Sequence, residues 1–496
     1  MSVLGILYWL SRIIAIGAII HVVLDNRQPA KTMAWALVIY FIPIFGVIAY
    51  LFFGVNYRKE RFISRRSMDM LTKRTMLEFV EQRHPDVPEA YQSVVDLFSR
   101  QSSSLPFINR KTDILTSGYD FFPSLLRDIA RAKSHIHIDM YIFEDDALGM
   151  LIADALIAKA REGIEVRVIY DDVGCWKVKG RFFERMRKEG IDAEPFMPVH
   201  FPQFTSRANY RNHRKIVVID GHVGYIGGMN IALRYVKGSG KRKEESGKGK
   251  EERGKRKEER GKRKVERGKW RDTMIRIEGG GVNGLQQAFL VDWYFVDRTL
   301  LSDRKYYTKP EDEGGVLQTV TSGPVAAYPE IMQGYLRTIM TARKYVYIES
   351  PYFLPTDSVF LALKTAAASG VDVRVIVPRR CDAHFVEWAS RSYLREAVEA
   401  GIQVSLYETG FLHSKLMVSD DIIATCGSTN CDFRSFENNF EGNTFFYDAD
   451  FALRMREVFL ADEQQSTLLS TLTHRMHPNL AQRMWDSLTR LLSPLL

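Results

Sequence analysis

Two stretches of the chain decide its fold: NHRKIVVIDGHVGYIGGMN at residues 212–230, and LHSKLMVSDDIIATCGSTN at residues 412–430. Both fit the pattern H-x-K-x4-D-x6-G-[GS]-x-N, so each contains a histidine, a lysine, an aspartate and an asparagine at the same spacing. A chain with 11 histidines contains such a pattern only rarely by chance. Two copies therefore indicate a duplicated structural unit and not a coincidence.

The sequence around each copy follows one plan. Residues 124–143 and 334–353 each read as an amphipathic helix followed by a buried strand, and a further helix then leads into a β-branched run at 163–172 and at 370–380. Alternating helices and strands predict an α/β fold in which helices flank a mixed sheet. We therefore predict two such lobes, at residues 107–315 and 316–496.

The residue types in the motif are suited to reactions at a phosphoryl group. Side chains alternate along a strand, so the histidine and lysine of H-x-K point to the same face. A cleft between two lobes would bring two imidazoles and two ammonium groups around one phosphorus atom. One histidine could attack it to form a phosphohistidine, and the other could serve as general acid and base. Nothing in this chemistry requires a metal, and no cysteine or histidine cluster has zinc-ligand spacing.

The candidate residues follow from these motifs. The expected catalytic residues are His213, Lys215, Asp220, His413, Lys415 and Asp420. The two aspartates have a second interpretation, in which they shape the turn after the strand and do not orient a histidine. The expected substrate-binding residues in the motifs are Asn230, Ser428 and Asn430. Gly228 stands where the second copy has Ser428, so the two half-sites differ in hydrogen-bonding capacity.

The paired motifs resemble those of the phospholipase D superfamily, and nearly the whole chain is similar to the bacterial cardiolipin synthases within it. The similar stretches include the segment that ends in AWALVIYFIPIFGVIAYLFFGVNYRKER, then WRDTMIRIEG at 270–279, SGP at 322–324, ESPYFLP and DFRSFENNFEGN at 432–443. The last stretch implies that Arg434, Ser435, Asn439 and Glu441 lie near the site, and we expect Glu441 to contribute to substrate binding.

The resemblance implies a reaction. A phosphatidyl group would pass from one phosphatidylglycerol to another, releasing glycerol, with neither metal nor nucleotide as a cofactor. By analogy, His213 is the expected nucleophile and His413 the general acid and base. The expected partners are phosphatidylglycerol and an anionic lipid membrane. The sequence does not indicate an oligomeric state.

The net charge of +9 belongs to one segment. Residues 237–269 hold 16 Lys/Arg and 7 Asp/Glu, so the rest of the chain is neutral. Within it, residues 240–267 repeat GKRKEES, GKGKEER, GKRKEER and GKRKVER, without an apolar stripe. We predict a surface insert that is either without a role or attached electrostatically to anionic lipids.

The N-terminal residues 1–56 predict a transmembrane hairpin, followed by a linker at 57–106. Residues 33–53 carry no charge and are long enough to cross a bilayer, with a possible kink at Pro43. The first span, 2–24, carries Arg12, which is costly unless it finds a partner or snorkels. Residues 54–74 hold seven Lys/Arg, against two in 25–32. The positive-inside rule then predicts a multi-pass protein of the cell membrane with cytoplasmic lobes.

Three rival functions are less well supported by the sequence. A phospholipase D-type hydrolase would pass the phosphatidyl group to water and differs only in the second nucleophile. A membrane-tethered nuclease of the same superfamily is less favoured, because the lobes are charge-neutral and no nucleic-acid partner is expected. A non-catalytic lipid scaffold would leave both motifs unexplained. For the terminal helix around 485–496, which is amphipathic, core packing is favoured over membrane contact.

Overall fold

The computed structural model describes residues 3–24, 29–54, 67–73, 77, 85, 87–199, 210–238, 270–309, 311–326 and 328–493. Apart from residues 237 and 238, the basic insert lies outside this part of the chain, as does most of the expected linker before residue 87. The described N-terminal region forms three helices and a π-helical turn: α1 (Val3–Leu24), α2 (Pro29–Phe41), α3 (Pro43–Ala49) and Tyr50–Gly54.

The chain reverses direction between α2 and α3. Ile42 leaves the helical region, with φ −129° and ψ 71°, and Pro43 starts the next helix. The rings of Trp35 and Tyr50 lie 5.6 Å apart, which a straight helix of this length would not allow. Proline lacks an N–H and disfavours helical geometry in the residue before it. The single helix expected over residues 33–53 is therefore wrong, because Pro43 ends it and does not merely kink it.

Arg12 finds a partner at this bend. Its guanidinium donates to the backbone carbonyl of Tyr40 at 2.6 Å, and it lies 5.2 Å and 5.7 Å from the ring centres of Tyr8 and Tyr40. The carbonyl is in the last turn of α2, where the helix dipole favours a cation. Among the described helices, none is both long and apolar enough to cross a membrane, and the expected transmembrane hairpin is not confirmed.

The elements from residue 89 to residue 297 follow in chain order. They are α4 (Glu89–Ser102), β1 (Pro106–Asn109), β2 (Lys111–Leu115), α5 (Gly118–Arg131), β3 (His135–Met140), α6 (Ala147–Arg161), β4 (Glu165–Asp171), α7 (Gly180–Lys188), β5 (Asp192–Phe196), β6 (Lys215–Ile219), β7 (Val223–Gly227), α8 (Arg234–Lys237), β8 (Trp270–Arg271), β9 (Met274–Glu278) and α9 (Val282–Asp297).

The remaining elements repeat much of this order. They are β10 (Gly315–Ser322), α10 (Glu330–Thr341), β11 (Tyr345–Glu349), β12 (Phe353–Leu354), α11 (Asp357–Ala368), β13 (Asp372–Pro378), α12 (His384–Glu399), β14 (Gln403–Tyr407), β15 (Phe411–Leu412), β16 (Leu416–Ser419), β17 (Ile423–Gly427), β18 (Cys431–Asp432), α13 (Phe433–Glu437), β19 (Glu441–Phe446), α14 (Ala449–Glu463), β20 (Ser466–Leu468), α15 (Thr473–Met476) and α16 (Leu480–Arg490).

Two large mixed sheets form in the described part of the chain. The first lobe has the strand order β2-β9-β7-β6-β3-β4-β5, and the second lobe has β1-β10-β19-β17-β16-β11-β13-β14-β20. In each sheet, three strands that lead to the motif are parallel, β3-β4-β5 and β11-β13-β14, and the motif hairpin is antiparallel. The structure therefore has the duplicated α/β architecture expected from the sequence.

The boundary between the lobes differs from the expected one. Strand β1 pairs with β10, so residues 106–109 belong to the second lobe although they precede the first. Helix α4, expected within a linker, packs through Val94 and Phe98 into the core of the second lobe. One apolar cluster that includes Ile216, Val218, Leu416 and Val418 joins the two sheets. The lobes thus share a core beneath the two motifs.

The terminal helix α16 packs with its polar side inward. Asp486 is fully buried and accepts from Arg395 of α12 at 2.8 Å, and Thr489 is also buried. By contrast, Leu480 and Leu491 are 74% and 75% exposed. Ion pairs hold this helix more than apolar burial does, and the expected core packing of its apolar side is wrong.

Candidate active site

Each motif begins just before a strand that enters the shared core. Residues 213–215 lead into β6 and residues 413–415 into β16, so both histidines lie just before these strands. Lys215 is the first residue of β6, and Lys415 directly precedes β16. The two histidines line one cleft of about 520 Å³. Its walls include Tyr141, Arg211, Tyr235, Trp270, Tyr352 and Arg434. The structure therefore brings the two half-sites together, as the duplicated motif predicts.

A carboxylate from the opposite lobe orients each histidine. Nδ1 of His213 lies 3.0 Å and 3.1 Å from the two carboxylate oxygens of Glu441, which begins β19. Nδ1 of His413 lies 2.7 Å from Oδ2 of Asp272, just before β9. Because an ionised carboxylate only accepts hydrogen bonds, these pairings favour a proton on each Nδ1, although Nζ of Lys415 also lies 2.7 Å from Nδ1 of His413. Nε2 is then the nitrogen available for chemistry.

Backbone hydrogen bonds also connect each histidine to the opposite lobe. The N–H of His213 donates to the carbonyl of Phe440 at 2.9 Å, and that of His413 donates to the carbonyl of Arg271 at 2.7 Å. In both cases the acceptor is the residue directly before the orienting carboxylate. In each lobe, the residue before the orienting carboxylate therefore accepts a backbone hydrogen bond from the histidine of the other lobe.

Asp272 was not assigned by sequence reasoning, although it lies in the stretch WRDTMIRIEG. Its position could have been found from the internal repeat. Met274 pairs with Gly227 of the first motif, and Asn443 pairs with Gly427 of the second. Glu441 and Asp272 each lie two residues before the pairing residue, so they are equivalent in the two lobes.

Asp220 and Asp420 lie away from the histidines, at the opposite ends of β6 and β16. The Asp220 carboxylate accepts from the backbone N–H groups of residues 133–135, at 2.8 to 3.2 Å. That of Asp420 accepts from those of residues 343–345, at 2.8 to 2.9 Å. Both have positive φ, 54° and 56°, which aspartate tolerates in turns. The alternative that they shape the turn is the better one, and a catalytic contact is wrong.

Some of the remaining predicted residues hydrogen-bond to other protein groups, and others face the cleft. Asn230 is occupied internally, since its amide accepts from the N–H of Ile142 and donates to Tyr235. Ser428 is fully buried and donates to Glu441. Asn230 and Asn430 both line the cleft, but Oδ1 of Asn430 has no hydrogen-bond partner among the described residues. Of the polar motif residues expected to bind substrate, Asn430 therefore has the clearest access to it.

The asymmetry between Gly228 and Ser428 has a steric cause. A Cβ atom on Gly228 would lie 2.0 Å from a carboxylate oxygen of Asp272. In the second lobe, the Ser428 hydroxyl instead donates to Glu441, which Asn439 also reaches at 3.3 Å. The first motif therefore needs glycine at position 228 to leave space for the Asp272 carboxylate. In the second motif, Ser428 stabilises the Glu441 carboxylate through a hydrogen bond.

Burial sets the protonation of the site. It lowers the pKa of His213 and of His413 to about 4, because the imidazolium loses its hydration. Burial likewise lowers the pKa of Lys215 to about 7 and that of Lys415 to about 8. For Glu441 burial acts in the other direction, but His213 and Lys215 outweigh it and hold its pKa low. Neutral imidazoles therefore lie beside ionised carboxylates.

Aromatic rings complete the walls of the cleft. Tyr141 meets His213 edge to face at 5.0 Å, and Nζ of Lys215 lies 5.1 Å from the Tyr141 ring centre. Trp270 lies 5.3 Å from the ring of His413. These rings limit the rotation of both imidazoles and favour cations nearby.

The chain was compared with known proteins. A family model described as "Cardiolipin synthase, PLD-like domain" matches residues 125–245 and 335–463, and one described as "Phospholipase_D-nuclease N-terminal" matches residues 13–54. The cardiolipin synthase of Geobacillus sp. (strain WCH70) is 37% identical, covering 95% of this chain and 90% of its own. That of Oceanobacillus iheyensis is 36% identical over the whole of both chains.

A solved structure has the same fold at low identity. Phosphatidylserine synthase from Haemophilus influenzae is 14% identical, with a TM-score of 0.59 over 82% of this chain and 100% of that chain. This likeness concerns the fold alone. The duplicated architecture is thus shared with a protein of divergent sequence.

Proposed function

This chain belongs to the cardiolipin synthase family of the phospholipase D superfamily, and on that basis we propose that it transfers a phosphatidyl group from one phosphatidylglycerol to another. The products are cardiolipin and glycerol. One observation carries the proposal: two histidines, each held by a carboxylate of the opposite lobe, line a single cleft. Such a pair suits two successive displacements at one phosphorus atom.

In the first displacement, Nε2 of His213 attacks phosphorus and forms a phosphohistidine. The bond from phosphorus to the glycerol oxygen breaks, and protonated His413 gives its proton to that oxygen. Binding of the anionic phosphodiester favours the imidazolium, which offsets the low pKa that burial gives His413. Glu441 stabilises the charge that develops on His213.

In the second displacement, the headgroup hydroxyl of another phosphatidylglycerol enters the cleft. Neutral His413 removes its proton, the oxygen attacks phosphorus, and the bond to His213 breaks. Lys215 and Lys415 balance the charge on the non-bridging oxygens, together with the amide of Asn430. Asn230 and Ser428 act by holding the cleft wall and Glu441.

We also propose that the N-terminal helices hold the protein at the cell membrane. Several large apolar side chains there face outward, among them Trp9 at 60%, Ile13 at 65% and Phe41 at 71% exposure. Lipid would cover them, and the Arg12 charge is satisfied by the Tyr40 carbonyl. A multi-pass arrangement requires α1 and the α2–α3 pair to enter the bilayer. The basic residues at 54–74 favour cytoplasmic lobes.

The test is to give purified full-length protein phosphatidylglycerol alone and to identify every product. Cardiolipin and glycerol in equal amounts are expected. Phosphatidic acid as the sole lipid product would identify a hydrolase and overturn the proposal. His213→Gln and His413→Gln should each abolish turnover. The matched control is His222→Gln, since His222 lies in the turn after β6, beyond Asp220.

A further inference from the structure

Equivalent loops of the two lobes lie against residues that line the catalytic cleft, and they are called its rims here. One loop, residues 172–179, follows β4, and the other, residues 379–383, follows β13. A Cβ atom on Gly174 would lie 2.3 Å from the carbonyl oxygen of Tyr141, so the first loop packs directly against a cleft wall. In the second, Asp382 accepts from the hydroxyl of Tyr352 at 2.8 Å, and both residues line the cleft.

Each rim exposes an aromatic ring beside basic residues. Trp176 is 73% exposed, and Lys177 and Lys179 next to it are exposed as well. At the second rim, Arg380 is exposed, and Phe385, the second residue of α12 directly after this loop, is 53% exposed. A tryptophan that is three-quarters accessible is uncommon on the surface of a soluble domain. The same combination at equivalent positions of the two lobes indicates a shared purpose.

Helix α16 extends this surface. Phe385 lies 5.2 Å from Trp388, and Trp388 lies 5.5 Å from Trp485 of α16. The outward side of the helix is apolar, with Met484 at 58% and Leu488 at 54% exposure, and Arg483 is exposed beside them. Its polar side is the one that packs on α12. An apolar outward side edged by arginine is typical of a helix that lies in a membrane interface.

We propose that Trp176, Lys177, Lys179, Arg380, Phe385 and the exposed side of α16, here called the rim face, dock on the surface of an anionic phospholipid bilayer. Aromatic rings favour the depth of the lipid headgroups, and the four exposed cations, including Arg483, complement anionic headgroups. Because both rims contact residues that line the cleft, docking places the cleft next to the bilayer. This inference rests on the proposed function for the lipid nature of the substrate, and it adds how that lipid reaches the histidines.

A physical measurement tests the docking without reference to activity. The full chain is reconstituted in vesicles of phosphatidylcholine and phosphatidylglycerol whose acyl chains carry bromine, which quenches nearby tryptophan fluorescence. Trp176→Phe and Trp485→Phe should each reduce the quenched amplitude. Trp293→Phe should leave it unchanged, because Trp293 is only 2% exposed in the first lobe. An unchanged quenched amplitude in both rim variants would overturn the proposal.

A kinetic comparison separates docking from catalysis. The triple variant Trp176→Ser, Phe385→Ser and Trp485→Ser should raise KM for phosphatidylglycerol in vesicles by roughly tenfold. It should stay within about twofold of the unmodified protein on dihexanoyl phosphatidylglycerol dissolved as monomers, because the cleft is untouched. The matched control is Met340→Ser. Met340 is 73% exposed at the end of α10, away from the cleft.

The outcomes distinguish the two proposals. An equal loss on both substrates, or no loss on either, would refute the role of the rim face. If the unmodified protein makes no cardiolipin from vesicles or from monomers, the proposed function fails. The quenching measurement would still show whether the rim face contacts lipid.

Discussion

Glu441 lies 3.0 Å from Nδ1 of His213, although the two side chains belong to different lobes. Asp272 repeats the relationship in the other direction with His413. Neither half-site is therefore complete without the opposite lobe. A carboxylate in this position fixes the imidazole tautomer and stabilises the positive charge that develops during the reaction.

Replacing either orienting carboxylate by its amide should reduce the rate of the chemical step. We expect Glu441→Gln and Asp272→Asn each to lower kcat by roughly a hundredfold or more, since the shape is kept but the charge is lost. Single-turnover kinetics would separate the two roles. With His213 as the nucleophile, Glu441→Gln should slow formation of the phosphohistidine, measured by trapping the acid-labile, base-stable phosphoprotein. Normal kcat in both variants would contradict this account.

The motif aspartates should behave differently, because they hold the backbone. Asp220→Ala removes the acceptor of three backbone N–H groups. The free energy of unfolding should fall by about 2–4 kcal/mol, at about 1 kcal/mol or more for each orphaned donor. Denaturant titration measures this loss, and activity per folded molecule should be largely retained. His413→Ala is the contrasting variant, expected to lose turnover per folded molecule.

Stability should decrease in mild acid. In the unfolded chain His213 and His413 titrate near 6.5, but in the folded protein their pKa is about 4. Their contribution is present above pH 6.5 and is lost as the pH falls toward 4, at roughly 3 kcal/mol for each imidazole. Chemical denaturation at pH 7 and pH 5 should show the decrease.

A matched variant isolates the contribution of the site. The double variant His213→Gln and His413→Gln should lose less stability between pH 7 and pH 5 than the unmodified protein. Part of the dependence should remain, since burial also lowers the pKa of His135 to about 4. An identical pH dependence in both proteins would show that the site histidines are not the source.

Much of the fold was accessible from the sequence because it depends on local pattern. The spacing of His213 and Lys215, repeated at His413 and Lys415, predicts the duplication, and strand alternation places each pair on one face. The cross-lobe partners were harder to assign, since Asp272 and His413 are 141 residues apart. Only the pairing of strands brings them together.

Three expectations failed for physical reasons that hydropathy does not record. Pro43 ends a helix in a stretch whose composition suits a continuous span. Asp220 occurs at a fixed spacing from His213 in the motif, but β6 lies between them. The two residues are therefore at opposite ends of this strand, and Asp220 stabilises the turn. The apolar side of α16 faces outward because Asp486 and Arg395 form a buried ion pair that orients the helix.

The basic repeat should be dispensable for turnover. The residues that flank it are already neighbours, since the rings of Tyr235 and Trp270 lie 4.7 Å apart. Deletion of residues 240–267 should leave a folded protein with activity within about threefold, because surface insertions change loop-closure entropy only slowly. Product analysis with phosphatidylglycerol measures this. Complete loss of activity in a folded deletion variant would show that the repeat has a role in the reaction.

The difference between Gly228 and Ser428 should give unequal effects for matched substitutions. Gly228→Ala places a methyl group about 2.0 Å from a carboxylate oxygen of Asp272, so the carboxylate must move away from His413. We expect kcat to fall by roughly a hundredfold, by analogy with the loss of an orienting carboxylate. Ser428→Ala removes one hydrogen bond to Glu441, which Asn439 still contacts, and should cost about tenfold or less. Steady-state kinetics on both variants measures the contrast, with circular dichroism to verify folding. Equal effects would contradict the inference that Asp272 needs the space at Gly228 whereas Glu441 needs only one hydrogen bond from Ser428. A larger effect of Ser428→Ala would show that the hydrogen bond to Glu441 is the more important of the two.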